Sequence, residues 1–428
     1  MKEIQKKIKS FFGKLGPGFI SGAADDDPTA IATYTQAGAQ FGYSQLWTAL
    51  FTFPFMVVIQ EMCGRIGMVT GKGLAGVIRK YYSDWFLAGA VILLLVANTI
   101  NIGADLGAMA AAGELLFDIP FIFWLIGFTV VILILEIFLS YRVYSYYLKY
   151  LTLTLLTYLA VAVLVNQDWS EVFKHTFFPS FIFTEAFFLS LIAILGTNIS
   201  PYLFFWQAGE EVEEAVADGK LRIMGQGTPK VTKKDIWALK QDTTLGMLFS
   251  NIVVFSICLA AAGTLGKNGM ISITTPAEAA KALEPLVGSW ASILFALGII
   301  GSGLLAVPVL SGSASYAISE SFGWKEGFYR KLNKAHGFYG VITIATLVGL
   351  LVNFLSIPPF QMLIYAAAIN GLLAPPLLIL ILLIANNKEI MGKYTNTWRS
   401  NLFGLAIILL LVGAAGFFLW HLPFFAFL

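Results

Sequence analysis

The chain has 428 residues, of which 58% are hydrophobic and 12% are charged, and its mean hydropathy is +0.78. Soluble domains carry about 25% charged residues, so this composition excludes a soluble globular protein and indicates an integral membrane protein. The formal net charge of +2 is too small to identify a partner. We expect the lipid bilayer as the surroundings and no nucleic-acid partner.

Apolar stretches of about 20 residues predict transmembrane helices, and the chain contains eleven of them. They cover residues 15–38, 42–66, 86–113, 119–140, 147–166, 181–207, 242–264, 286–310, 337–356, 359–385 and 401–425, and are called spans 1 to 11. The basic segment before span 1 leads straight into a full-length span, which is not the pattern of a cleavable signal peptide.

The distribution of positive charge predicts the orientation of the chain. With a cytoplasmic N-terminus, all but three of the 27 Lys and Arg residues fall on the cytoplasmic side, the exceptions being Lys174, Lys267 and Lys281. This asymmetry is the positive-inside pattern. We therefore predict a cytoplasmic N-terminus and an external C-terminus in a membrane that we take to be a bacterial inner membrane.

Span 1 is interrupted by three consecutive carboxylates, Asp25, Asp26 and Asp27, followed by Pro28. Burying an ionised side chain at membrane depth costs on the order of several kcal/mol of free energy. Acids within spans therefore normally face a wet cavity, a partner or a bound ion. The sequence therefore predicts that the substrate binds at this interruption.

Span 6 contains a second interruption, from Gly196 through Thr197, Asn198 and Ser200 to Pro201. Spans 1–5 (residues 1–166) and spans 6–10 (residues 181–385) can be aligned so that the two interruptions match, with residues 401–425 as an extra helix. Two repeats with a broken first helix are typical of inverted-repeat transporters, whose substrate sites lie at the midplane. We predict an all-α, LeuT-type protein of five plus five spans, in which helices 1 and 6 are broken, working by alternating access.

Other functional classes fit the chain less well. It has no Ser/His/Asp set, no metal-binding histidine motif and no phosphate-binding loop, so we expect neither an enzyme nor a cofactor. Channels usually show a ring-forming pore element, whereas this chain carries two nonequivalent broken helices. A carrier is therefore favoured over a channel.

The motifs around the first break resemble those of the NRAMP family of divalent-metal transporters. The matching segments are Gly16-Pro17-Gly18, Asp27-Pro28, Gln36-Ala37-Gly38-Ala39, Phe41-Gly42-Tyr43, Thr70-Gly71-Lys72, Ala104-Asp105-Leu106 and Asp242-Thr243. The likeness runs over nearly the whole chain. It implies a metal site at the two breaks and assigns proton movement to Asp105.

The chain departs from the family at the metal ligands themselves. The family's Asp-Pro-Gly-Asn is here Asp27-Pro28-Thr29-Ala30, and its Met-Pro-His is Ser200-Pro201-Tyr202. The chain thus resembles a divergent branch that lacks the binding-site methionine and asparagine. Oxygen ligands without a soft sulfur suit hard cations, so the resemblance implies transport of Mg²⁺ or Mn²⁺, with Asp27 and Ser200 as metal ligands.

The loss of two ligands leaves a second reading open, in which no metal binds. Polar groups beside aromatic walls also suit a small neutral polyhydroxylated solute, such as a monosaccharide resembling glucose. For either small hydrophilic substrate, the predicted binding residues are Asp27, Thr29, Ala30, Thr197, Asn198, Ser200, Tyr202 and Gln207. Protons are the candidate coupling ion, carried by Asp25, Asp26 and Asp105, because adjacent acids cannot all ionise cheaply.

Overall fold

A computed structural model describes residues 16–138, 155–355 and 357–421, and within them the regular structure is helical. Helices occupy all eleven predicted positions, and the bounds in chain order are Pro17–Asp25 with Pro28–Phe41, Trp47–Thr70, Asp84–Leu116, Phe121–Phe138, Leu156–Leu164, Glu185–Asn198 with Pro201–Ala217, Lys233–Ala261, Ala291–Phe322, His336–Val352, Pro359–Asn386 and Trp398–His421. Shorter helices include Leu74–Tyr81 and Trp169–Phe177. The all-α membrane fold is confirmed.

Within the described residues, eight helical segments are long and apolar enough to cross a membrane, and they correspond to spans 2, 3, 4, 6, 7, 8, 10 and 11. Span 9 is a shorter apolar helix, and span 1 is divided at its break. The predicted end of span 4 and the predicted start of span 5 fall within residues 139–154, which lie outside the described residues. Residue 15 of span 1, residue 356 of span 9 and residues 422–425 of span 11 also lie outside them. The count of eleven therefore stays a prediction.

Both predicted helix breaks are confirmed, and proline explains each of them. Pro28 and Pro201 stand at the first position of a second half-helix, after the extended residues Asp27 (ψ 170°) and Ser200 (ψ 126°). Proline lacks an N–H donor and its ring clashes with the preceding turn, and it pushes the residue before it out of the helical region. Each span is thereby cut into two half-helices with free backbone groups between them.

Glycines allow the half-helix before each break to approach a neighbouring span closely. Pro17–Asp25 packs along span 7, where a Cβ on Gly22 would overlap the backbone of Gly246. Glu185–Asn198 packs along span 10, where a Cβ on Gly196 would overlap the backbone of Gly371. Small residues at helix contacts are a common device in membrane proteins. The backbone next to each break is therefore held by close packing.

A single carboxylate secures the beginning of span 1. Asp242, near the start of span 7, accepts hydrogen bonds from the N–H groups of Gly16 at 2.9 Å, Gly18 at 2.8 Å and Phe19 at 3.2 Å. The first N–H groups of a helix have no partner within the helix, and the positive end of its dipole favours a negative charge. Asp242 supplies hydrogen-bond acceptors for these N–H groups and places a carboxylate at the positive end of the dipole. It therefore fixes the first half-helix against span 7.

Candidate functional site

Asp27 lies between the two half-helices of span 1 and is 2% exposed. Its Oδ1 atom accepts the N–H of Ala30 at 2.7 Å, which makes Asp27 the N-cap of the second half-helix. Its Oδ2 atom accepts the hydroxyl of Tyr202 at 3.2 Å. The cap fixes the direction of the carboxylate, and the second oxygen is directed toward span 6.

Tyr202 joins the two breaks. It lies in the first turn of the second half-helix of span 6, and its hydroxyl also lies 3.2 Å from the carbonyl oxygen of Ala24, an acceptor before the break in span 1. A phenol has one hydrogen to donate, so the carboxylate and the carbonyl compete for it. A carboxylate oxygen and a backbone carbonyl oxygen thus converge on one point.

Asp25 and Asp26 meet the same residue of span 7. The Ser250 hydroxyl lies 2.9 Å from Asp25 Oδ2 and 2.9 Å from Asp26 Oδ1. The other carboxylate oxygens, Asp25 Oδ1 and Asp26 Oδ2, have no hydrogen-bond partner among the described residues. Two buried acids therefore share one hydroxyl hydrogen, which leaves room for a proton or a cation.

Asp105 reaches the first break through Thr29. The Thr29 hydroxyl donates to Asp105 Oδ1 at 3.1 Å, and Asp105 Oδ2 has no partner in the described part of the chain. Both side chains are fully buried. Since Thr29 is only two residues from Asp27, span 3 brings a fourth acid to the region of the first break.

The polar groups of the second break are engaged locally. Ser200 donates its hydroxyl to the carbonyl oxygens of Thr197 at 2.7 Å and Gly196 at 3.1 Å. Asn198 exchanges hydrogen bonds with the Tyr34 hydroxyl and donates to Thr52 at 2.8 Å. The hydroxyl oxygen of Ser200 keeps its lone pairs, so its role as a metal ligand stays a prediction.

Gln207 lies farther along span 6 and is engaged elsewhere. Its Oε1 atom accepts the Ser21 hydroxyl at 2.6 Å, and its Nε2 atom donates to Glu211 at 3.0 Å. Gln207 lies five positions after Tyr202 in the helix, a rise of roughly 7.5 Å. The structure joins Gln207 to the first half-helix of span 1 through Ser21, and its place in the substrate site stays a prediction.

One residue and one contact of this site were not predicted from the sequence. Ser250 was missed, although it follows Gly246 by four residues and such residues share a helix face. The direct contact of Tyr202 with Asp27 was missed too, because a single sequence does not tell which side chains of distant spans face each other. Across the described residues, His, Cys, Asp and Glu form no group of three that could hold a metal, so a metal bound by Asp27 would also need carbonyl or hydroxyl oxygens.

An all-helical membrane protein with two broken spans and buried acids at the break defines a membrane transporter of the LeuT fold. The profile of the natural resistance-associated macrophage protein-like family, Nramp, matches residues 18–421. The chain belongs to this family, as its motifs predicted, and it is a transporter and not an enzyme.

Named relatives agree with this family assignment. The chain is 26% identical over 410 residues to the divalent metal cation transporter MntH of Caldanaerobacter subterraneus, covering 94% of this chain and 91% of the relative. Its fold is similar to that of a mutant manganese transporter of Eremococcus coleocola, with a TM-score of 0.73, 16% identity and coverage of 95% and 86% of the two chains. It is also similar to the inward-facing conformation of Mhp1, with a TM-score of 0.52, 14% identity and coverage of 96% and 92%.

Proposed function

We propose that this protein is a secondary active transporter that carries a hard divalent metal cation, Mg²⁺ or Mn²⁺. Family membership and relatives named as divalent metal cation transporters support metal transport. The observation that carries the proposal is the convergence of the Asp27 carboxylate and the Ala24 carbonyl on the Tyr202 hydroxyl. A cation at this point would gain one charged and one neutral oxygen ligand from the two sides of the break.

The donor set favours a hard cation over a soft one. Asp27 and the Ala24 carbonyl offer oxygen, and the hydroxyl of Ser200 is the third candidate. Carboxylate, carbonyl and water suit Mg²⁺ and Mn²⁺, whereas thioethers and thiolates select softer metals. Mg²⁺ keeps several of its waters when it binds to proteins, so a site with few direct ligands can carry it partly hydrated.

Transport would proceed by alternating access. The half-helices of spans 1 and 6 would rock against spans 3, 4, 8 and 9 around a fixed midplane site. Tyr202 shares its hydroxyl hydrogen between the two acceptors that a cation would use. Cation entry would displace this hydroxyl, which couples occupancy to the contact between spans 1 and 6. Asp25, Asp26 and Asp105 are the candidate carriers of a coupled proton, and the N-terminus would lie on the cytoplasmic side of a bacterial inner membrane.

A second candidate substrate is a neutral polyhydroxylated solute such as glucose. The observation in its favour is that Asp27 already accepts a hydroxyl hydrogen, from Tyr202, as it would from a sugar. Two amides, Asn101 and Asn370, are buried with no hydrogen-bond partner in the described part of the chain. Buried amides without partners are costly, and solute hydroxyls would satisfy them.

Ligand binding to the purified protein separates the two candidates. Binding to the native state raises the thermal midpoint of unfolding, so wild-type protein and Asp27→Asn are heated with MgCl₂, MnCl₂ or glucose and then titrated by calorimetry. A metal substrate stabilises the wild type and leaves Asp27→Asn unchanged. Stabilisation by glucose alone transfers the proposal to the neutral solute, and no response to any of these ligands contradicts both.

Tyr202→Phe gives an independent answer, because it removes the hydroxyl that competes for Asp27. Metal affinity should rise by up to about tenfold, since a hydrogen bond to a charged group is worth roughly 1.5 kcal/mol. A sugar hydroxyl would gain the same freed oxygen, so this variant tests whether Tyr202 competes with the ligand for Asp27, and the ligand series above identifies which ligand binds. The double variant Ala30→Asn with Ser200→Met restores both family ligands and should move selectivity toward Mn²⁺ or Fe²⁺; unchanged selectivity would count against the metal site.

Flux measurements test the transport mechanism itself. In liposomes, a carrier should saturate with substrate and show counterflow when labelled substrate is outside and unlabelled substrate is inside. Flux that rises linearly and ignores the trans substrate would indicate a channel instead of alternating access.

A further inference from the structure

A large cavity lies outside the transport site. It has a volume of about 610 Å³ and is bordered by the helix Leu74–Tyr81, the loop of residues 218–232 and the loop of residues 323–335. These segments follow spans 2, 6 and 8 on the face that the charge pattern predicts to be cytoplasmic. None of the acids at the first break borders it. We call it the loop cavity.

The walls of the loop cavity are rich in positive charge. Its cationic residues are Lys72, Arg79, Lys80, Lys325 and Arg330, and its acidic residues are Glu320 and Glu326. The cations come from two segments that are far apart in the sequence, residues 72–80 and 325–330, so the fold concentrates them in one place. A concave wall of one predominant sign attracts ions of the opposite sign.

Backbone carbonyl groups position three of these cations. Lys72 donates to the carbonyl of Gly225, Arg79 to that of Glu320 at 3.2 Å, and Arg330 to that of Glu326 at 3.1 Å. A carbonyl contact orients a cationic side chain without cancelling its charge. The remaining donors of each group stay available for a ligand, since a guanidinium has five N–H donors and an ammonium has three.

The two carboxylates offset little of this charge. Glu320 is turned toward backbone, because it accepts the N–H groups of Gly73 and Gly76 at the start of the helix Leu74–Tyr81. Glu326 is 7% exposed. Burial, and then the neighbouring Glu320 and Glu213, raise the pKa of Glu326 well above its usual range. The wall therefore carries five cationic and two acidic residues, an excess of cationic groups.

Aromatic rings place the cavity near the membrane surface. Phe322 and Trp324 are stacked with their ring centroids 5.1 Å apart at the end of span 8, and they are 63% and 46% exposed. Tyr329, also on the wall, is 39% exposed. Exposed aromatic rings at the end of a span typically lie at the level of the lipid headgroups.

We propose that the loop cavity binds the phosphate group of an anionic ligand. Arginine and lysine donors on several sides match the oxygens of a phosphate, for which arginine is especially suited. The volume lies within the range of about 300–1,000 Å³ for small-molecule sites. A phosphate can come from an anionic phospholipid headgroup, for which basic pockets beside spans are known acceptors, or from a soluble phosphate compound.

Two probes distinguish these sources in the full-length protein purified in detergent. Inorganic pyrophosphate is titrated by calorimetry, and dihexanoyl phosphatidylglycerol is added in thermal-shift experiments beside dihexanoyl phosphatidylcholine. Saturable binding of phosphatidylglycerol but not phosphatidylcholine supports the lipid source, and saturable binding of pyrophosphate supports the soluble source. Either binding should weaken as ionic strength rises.

Matched variants connect the binding to the loop cavity. Arg79→Gln with Lys325→Gln removes two of its cations and should weaken binding at least tenfold. The control is Arg222→Gln with Lys230→Gln, which removes two exposed cations of the loop of residues 218–232 that do not themselves border the cavity. It should leave the affinity for either probe within twofold of the wild type. If loss of the Arg79 contact lowers the midpoint of unfolding measured without ligand, the double variant Lys80→Gln with Lys325→Gln is used in place of the double variant that contains Arg79→Gln. No saturable binding of either probe, or equal losses in both pairs of variants, would overturn the proposal.

Discussion

The two breaks have the same backbone design and opposite side-chain chemistry. In each, a proline starts the second half-helix and the residue before it is extended. The first break carries three consecutive carboxylates, whereas the second carries Asn198 and Ser200, which are uncharged.

The side chains of the two breaks also differ in how many of their polar atoms have hydrogen-bond partners. The side chains of Asn198 and Ser200 bond to neighbouring groups of the protein. At the first break, one oxygen each of Asp25 and Asp26 has no partner among the described residues. Buried polar groups without partners are costly and are retained where a ligand, water or proton completes them. Proline therefore sets the shape of both breaks, and the acids give the first one its chemistry.

The largest effect is expected from Asp27→Asn. Asparagine is as good an N-cap as aspartate, so the bond from Ala30 survives while the charge is lost. Loss of a charged partner in a buried site costs roughly 3 kcal/mol, and uptake into liposomes should fall about 100-fold. Asp84→Asn, at the exposed start of span 3, is the control. Uptake within threefold of wild type would remove Asp27 from the substrate site.

A smaller and more selective effect is expected from Asp26→Asn. Two adjacent carboxylates that share the Ser250 hydroxyl form a natural place for a proton. Uptake driven by a pH gradient should fall about tenfold, by analogy with the loss of one charged hydrogen bond, while counterflow without a gradient persists. Asp25→Asn should act in the same direction. Gradient-driven uptake equal to that of the wild type in both variants would exclude this pair from coupling.

Packing before the two breaks should respond alike, since it does not depend on charge. Gly22→Ala and Gly196→Ala each place a methyl group against the backbone of another span. Overpacking costs about 1–3 kcal/mol, so the midpoint of unfolding should drop by several degrees in both. Gly89→Ala is the control, because a Cβ there meets nothing within 4 Å. A drop for one glycine only would show that the two half-helices are held differently.

The smallest effect is expected from Ser200→Ala. Its hydroxyl donates to carbonyls of the preceding half-helix, and such local bonds contribute about 1 kcal/mol or less. Uptake should stay within twofold of wild type if the side chains of the second break bond only to groups of the protein and not to the substrate. A tenfold loss of metal uptake with unchanged stability would instead identify Ser200 as a direct ligand and reduce the contrast between the breaks.

The features that could be predicted from the sequence are local ones. Pro28 and Pro201 stand beside polar residues inside apolar stretches, and a proline within a span predicts a break from the chemistry of its own ring. The three acids at the first break could be chosen in the same way, since an acid at membrane depth needs a partner, and the resemblance to the family then singled out Asp27. The fold class follows from these breaks and from the hydropathy of the other spans.

The features that could not be predicted depend on how distant spans face each other. Ser250 meets Asp25 and Asp26 across more than 220 positions of the chain, and no local pattern announces that pairing. Gln207 was assigned to the site by its residue type, yet its amide is engaged by Ser21 and Glu211. Rotation of a helix about its axis by one residue, about 100°, decides such contacts, and hydropathy does not determine it.

The carboxylate of Asp242 has a mechanical consequence for the start of span 1. Three N–H groups share this one anchor, so tilting the half-helix away from span 7 strains all three bonds together. Release is then expected to be abrupt, like a latch that is either engaged or open, and intermediate tilts should be sparsely populated. The start of span 1 would then have two positions, one bound to Asp242 and one released from it.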